Sequence, residues 1–149
     1  MINLFQPSLG DEELALIKDV FTSNWLGKGN GVKDFESKFA TSLSSNSESF
    51  LSTTSCTEAI FLSAKLFNFS KSDEIIVPTI SFPSVGSAVI ESGAKIVFCD
   101  VDKHSLNVRA EDIQKAISNK TKAVYITHYG GIPCEMDEII ELCNQHKIV

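Results

Sequence analysis

The stretch "LSTTSCTEAIFLSAKLF", Leu51 to Phe67, hands a short run of β-formers over to an apolar helix. Ser49–Thr53 reads as a strand and Thr57–Phe69 as a helix, with Ser55, Cys56 and Thr57 at the junction. The first amides of a helix lack intrahelical acceptors, and the helix dipole adds positive potential there. A phosphate fits such a turn, held by backbone N–H groups and hydroxyls, if the side chains are small enough to let it approach. The same residues also suit a plain N-cap, which needs no ligand. The local pattern leaves both readings open.

Downstream the chain alternates. Strands are expected at Glu74–Pro78 ("EIIVP"), Lys95–Val101 and Lys122–His128, and helices at Pro83–Ser92, Ala110–Ser118 and Cys134–His146. Nearly continuous apolar strands separated by helices imply an α/β fold, a mainly parallel sheet covered on both faces. Upstream, residues 11–22 place Leu14, Ile17, Val20 and Phe21 at helical spacing, with acids in the first turn. "SNWLGKGNGV" (Ser23–Val32) reads as a loop, and Val32–Leu43 as a second amphipathic helix with Val32, Phe35, Phe39 and Leu43 on one face. The expected organisation is therefore an N-terminal helical segment, 1–45, followed by the first part of an α/β domain, 46–149. The sequence closes on Ile148 and Val149, where the pattern calls for another buried strand, so a longer protein is expected.

The totals bound the function. The 149 residues are 43% hydrophobic and 21% charged, as in a soluble globular domain. A formal charge of −6 argues against a nucleic-acid or anionic-membrane surface. Arg109 is the sole arginine, so no arginine cluster awaits a phosphate. No apolar run approaches the roughly 20 residues of a membrane span, and the N-terminus has no secretory pattern. Cys56, Cys99, Cys134 and Cys143 form no C-x-x-C pair or zinc-like grouping, and reduced thiols in a cytoplasmic protein are expected.

Three further places carry candidate chemistry. Phe82 follows the end of the Glu74–Pro78 strand, where open α/β sheets face their ligand crevice. It suits stacking on a planar ring, although stapling the next helix to the core is the commoner role of such a residue. His128 and Tyr129 close another strand before Gly130-Gly131; a histidine there is more often structural than catalytic. Asp100 and Asp102 read as turn caps, since no matching ligand group stands at metal spacing.

In order, these pieces resemble the nucleotide-sugar aminotransferases of the DegT/DnrJ type, within the aspartate-aminotransferase fold (fold type I). The matching pieces are Pro7, the helix from Asp11, "WLGKG" (Trp25–Gly29), Phe35-Glu36, Ser55-Cys56-Thr57, "SDEIIVP", "ISFPSVGSAV", "GAKIVFCDV" and "THYGGIPCEMD". They span nearly the whole chain, with Ser72 standing where the family usually has glycine.

The resemblance implies that the turn holds the phosphate of pyridoxal 5′-phosphate. Thr57 and the Glu58 amide would make direct contacts, Cys56 would take a position often held by glycine, and Ser55 would support the turn. The Glu58 side chain, unusual there, should point to solvent. Phe82 matches the aromatic lying against the pyridine ring. The implied reaction moves an amino group, usually from glutamate, to a keto-sugar nucleotide such as a dTDP-4-keto-6-deoxyhexose, in at least a homodimer. The carboxylate for the ring nitrogen and the Schiff-base lysine are expected beyond Val149; Lys65, Lys71, Lys95 and Lys122 match neither, so residues 1–149 alone should lack activity. A pyridoxal-dependent sugar dehydratase on the same scaffold and a non-catalytic phosphate-binding module are the alternatives.

Overall fold

Glu74–Pro78 forms strand β1, and its three central side chains are fully enclosed: Ile75, Ile76 and Val77. The computed structural model describes residues 6–149. These residues form two compact units, one ending at Ser52 and the other spanning Thr53–Val149.

In the second unit β1 is the centre of a parallel three-stranded sheet, flanked by β2 (Lys95–Cys99) and β3 (Thr121–Val124) in the order β2-β1-β3. Successive side chains of a strand face opposite sides. Ile75 and Val77 accordingly join Val85, Val89, Ala94 and Ala123 in one core, with Ile60 packed against it. Ile76 joins Val108, Ile113, Ile139 and Leu142 in the other. Helices α3 (Cys56–Leu66) and α4 (Pro83–Glu91) thus cover one face, and α5 (Ala110–Ala116) and α6 (Met136–His146) cover the other. This is the two-faced parallel arrangement that the apolar strands call for.

The strands are shorter than the sequence suggests. Lys95–Val101 ends at Cys99 and Lys122–His128 ends its ladder near Tyr125, whose amide donates to Ile76 O at 2.9 Å. For β3 the reason is Pro78, which has no N–H to extend the ladder on that side, whereas towards β2 the bonding runs on to the Thr79 amide, which donates to Cys99 O at 3.0 Å. On the opposite edge of β3, Val149 exchanges backbone bonds with Lys122 and Val124, at 3.0 and 2.7 Å.

The strand expected at Ser49–Thr53 does not form. Ser47–Ser49 makes a single 3-10 turn, and residues 50–54 run without a sheet neighbour. An isolated strand has no stability of its own in water. Instead the Ser52 amide and hydroxyl both donate to Glu36 Oε1 at 2.9 Å.

The first unit contains helices α1 (Asp11–Ser23) and α2 (Asn30–Ser42). Glu36 is 8% exposed and accepts from Lys28 Nζ at 2.9 Å as well as from Ser52. The Ser52 amide, the Lys28 ammonium and the Ser52 hydroxyl hold its carboxyl down at about 2. Trp25 lies over its own loop: its indole N–H donates to Lys28 O at 3.3 Å, and a Cβ on Gly29 would meet the ring at 3.1 Å. A side chain there would press on the indole.

Candidate functional site at the carboxyl edge of the sheet

The connection from β1 through α4 leads to β2 on one side, whereas β3 lies on the other side of β1. The strand order reverses between β1 and β3, and such a switch point opens a crevice beyond the carboxyl ends of the strands. The segments that frame it follow Pro78 and Val124.

Helix α3 brings its first turn to the same edge. The chain leaves α3 at Leu66 and enters the amino end of β1 at Glu74, so α3 runs antiparallel to β1. Its middle is fixed by Ser63 Oγ, 2.9 Å from Tyr125 Oη just past β3, and by Ile60 in the core.

At that first turn Ser55 is the N-cap, and its hydroxyl accepts from the Glu58 amide at 3.1 Å. Cap and anion site are not exclusive here. The cap satisfies one donor of the turn, while the Cys56 and Thr57 amides and the Thr57 hydroxyl make no hydrogen bond and lie exposed. Two outward amides, a hydroxyl and a helix N-terminus suit an anion.

The Glu58 side chain lies exposed but does not extend freely into solvent. Its carboxylate folds back, accepting from Thr54 Oγ1 at 2.6 Å and Thr54 N at 2.9 Å, and these bonds lower its pKa. The cause is local: a carboxylate in a first helical turn finds the amide just before the cap, a one-residue variant of the capping box.

Phe82 is the N-cap residue of α4 and is 71% exposed. It does not staple α4 to the core; Val85 and Val89 do that. The phenyl ring is thus an exposed apolar group four residues past the end of β1, on the carboxyl side of the sheet.

Beyond β3, His128 Nδ1 accepts from the Cys134 amide at 3.2 Å, which gives this histidine a structural duty. Asp102 caps its own turn, accepting from the Ser105 and His104 amides at 2.8 and 3.0 Å, and its carboxyl is held at about 2. Among the described residues no group of three or more His, Cys, Asp or Glu could hold a metal ion, and no helix is long and apolar enough to cross a membrane.

Asn107 escaped the sequence reading. Only 4% exposed, it donates to Ile132 O at 2.9 Å and Pro133 O at 3.3 Å, and accepts from the Tyr129 amide at 2.9 Å. A lone Asn between apolar residues in "SLNVR" gives no periodic signal; its partners are more than 20 positions away.

A 490 Å³ cleft lined by Lys122, His146 and Lys147 opens at the amino end of β3, away from this edge. It holds none of the residues singled out for chemistry.

Comparison with known proteins follows the same lines. The model of the DegT/DnrJ/EryC1/StrS aminotransferase family matches residues 7–149. A dTDP-4-dehydro-2,3,6-trideoxy-D-glucose 4-aminotransferase of Saccharopolyspora spinosa is 43% identical over 149 residues, covering 100% of this chain and 39% of that protein. The chain therefore spans about two-fifths of the length of this relative. The crystal structure of the aminotransferase TlmJ from Streptoalloteichus hindustanus superposes with a TM-score of 0.95 at 43% identity, over 99% of this chain and 40% of that one. An E. coli GDP-4-keto-6-deoxy-D-mannose-3-dehydratase with bound hydrated PLP superposes with a TM-score of 0.88 at 29% identity, over 100% of this chain and 40% of that one. The fold is the α/β fold of the aspartate-aminotransferase type, and the chain belongs to the DegT/DnrJ/EryC1/StrS aminotransferase family.

Proposed function

We propose that this chain forms the phosphate-anchoring and ring-facing part of a pyridoxal 5′-phosphate-dependent aminotransferase. The whole protein would pass an amino group from glutamate to a keto-sugar nucleotide such as a dTDP-4-keto-6-deoxyhexose. The observation that carries this reading is the pair of unspent amides at Cys56 and Thr57, with the Thr57 hydroxyl, at the carboxyl edge of the sheet.

In this reading the Cys56 and Thr57 amides and Thr57 Oγ1 donate to phosphate oxygens, whereas the Glu58 amide, expected to do so, is held by the Ser55 hydroxyl at 3.1 Å. Ser55 and Glu58 act as the cap pair that sets the turn. Cys56 serves through its small size and its amide, not as a nucleophile. Phe82 lies against one face of the pyridine ring and keeps water from it. Together the turn and the phenyl ring fix the position and swing of the cofactor. When bound, the cofactor supplies the electron sink that lets an amino group change carriers. Binding and orientation belong to these residues; the proton-moving lysine and the partner of the ring nitrogen are expected beyond Val149. Residues 1–149 alone would therefore bind without turning over. A homodimer of the complete protein in the cytoplasm completes the reading.

Thr57→Val in the complete protein tests it. Losing one charge-assisted hydrogen bond of about 1.4 kcal/mol or more weakens cofactor affinity about tenfold, read from the cofactor's absorbance on titration. Unchanged affinity would contradict the assignment.

A dehydratase is the second reading, favoured by the TM-score of 0.88 to the mannose-3-dehydratase. The two share everything these residues do. They part at the residue standing in the lysine position, and product analysis of the complete protein, amino sugar against deoxy sugar, separates them.

A further inference from the structure

Beside the Phe82 segment, across the switch point, runs the segment that follows β3. The Ile76↔Val124 register and the Tyr125-to-Ile76 bond put Tyr125 level with Val77, so the chain leaves β3 at the same carboxyl edge at which the Phe82 segment leaves β1. Tyr129, Gly130 and Gly131 form a 3-10 turn there, with Gly130 at φ 62° and Gly131 at φ 80°. Both lie in the left-handed region that favours glycine.

The turn is clamped from below. Buried Asn107 takes the Tyr129 amide and the Ile132 and Pro133 carbonyls, and His128 takes the Cys134 amide. What the clamp presents outward is apolar: Tyr129 is 44% exposed, Ile132 is 59% exposed, and the Tyr129 hydroxyl makes no hydrogen bond. Hydrophobes on a turn held this firmly, beside a ligand crevice, call for a ligand surface.

We propose that Tyr129 and Ile132 form the wall that receives the sugar ring of the nucleotide-sugar substrate. The inference rests on the aminotransferase reading above. Charge decides which part of the reactants meets this wall. Residues 123–145 contain no lysine or arginine. A diphosphate or the carboxylates of an amino donor would seek a cation. A deoxyhexose presents C–H faces and a methyl group, with few hydroxyls. An aromatic face, an aliphatic side chain and one phenolic hydroxyl match that mixture. Asn107 is a positioning residue in this scheme, acting through the turn.

The test uses the complete protein with Tyr129→Ala, Tyr129→Phe and Ile132→Ser. Three quantities are read: KM for dTDP-4-keto-6-deoxyglucose and for glutamate, the dissociation constant of the same nucleotide sugar, and the cofactor's absorbance. Tyr129→Ala is expected to raise both sugar constants about tenfold, with glutamate KM and the cofactor spectrum unmoved. Tyr129→Phe gives a smaller loss, and Ile132→Ser a loss about threefold in the sugar constants alone. Should Tyr129→Ala fail to fold, Ile132→Ser carries the test, since its side chain is exposed. Sugar constants within twofold of wild type in the folded variants, or a rise in glutamate KM instead, would overturn the wall. If the wild-type protein takes up no pyridoxal 5′-phosphate, the aminotransferase reading has failed and this inference falls with it.

Discussion

Ser63 on α3 and Tyr125 just past β3 meet through their hydroxyls, 2.9 Å apart and 62 positions distant in sequence. Ser63 Oγ also lies 2.7 Å from Ile60 O and gives its one proton there, so Tyr125 is the donor to Ser63. This bond ties the helix that carries the candidate phosphate turn to the edge of the sheet that carries the crevice. Tyr125→Phe and Ser63→Ala should each cost about 1 kcal/mol, with a coupling of about 0.5–1.5 kcal/mol in a double-mutant cycle by denaturant unfolding. Additive losses would mean that the pair does not hold α3.

Glu58 places a negative charge in the same turn that is proposed to hold a phosphate. Like charges at this range repel, and the effect weakens with salt. Glu58→Gln keeps an oxygen acceptor for Thr54 and removes the charge, so affinity for pyridoxal 5′-phosphate should rise by about two- to fivefold at low ionic strength. Titration at two salt concentrations reads it, and a salt-independent loss of affinity would refute it.

Glu36 gives a pH signature in the first unit. Its pKa falls from 4.5 to about 2 because the Ser52 amide, the Lys28 ammonium and the Ser52 hydroxyl all favour the carboxylate. A depressed folded value means the stabilisation is whole above 4.5 and fades as the pH drops through 2. Carbon-13 titration of the Glu36 carboxyl should find its midpoint at least one unit below that of an exposed glutamate. Glu36→Gln, which keeps an acceptor oxygen but removes the charge that strengthens both bonds, should speed hydrogen exchange at the Ser52 amide.

The four thiols should separate by reactivity. Burial pushes the Cys99 thiol up to about 11 and raises Cys134 and Cys143, whereas Cys56 lies exposed on the first turn of α3. The thiolate is the reactive form, so alkylation at pH 8 should mark Cys56 first and Cys99 last. Pyridoxal 5′-phosphate added to the cofactor-free protein should slow the Cys56 reaction, while pyridoxal without its phosphate should not. Peptide mass spectrometry reads both.

The fold was legible because its signals are local. The runs around Ile75–Val77 and the helix from Pro83 announce themselves by apolar continuity and by proline at a first helical position. The turn at Ser55 was visible as a cap, and the cap formed. What failed was the strand at Ser49–Thr53: β-forming residues predict a strand only where a neighbour supplies the ladder, and Ser52 found Glu36 instead. The end of β3 falls short of the apolar run because Pro78 withholds an N–H on that side. Glu58 turned back on Thr54 because a side chain four residues from an amide in a helical turn reaches it at little entropic cost. Asn107 stayed hidden because its partners are remote in sequence.

The central claim is that the first turn of α3 grips the cofactor's phosphate. A crystal structure of the complete protein grown with pyridoxal 5′-phosphate tests it most directly. The account predicts phosphate oxygens about 2.7–3.2 Å from the Cys56 and Thr57 amides and from Thr57 Oγ1, with the ring over Phe82. Cofactor density anchored elsewhere, with those amides facing only water, would contradict it.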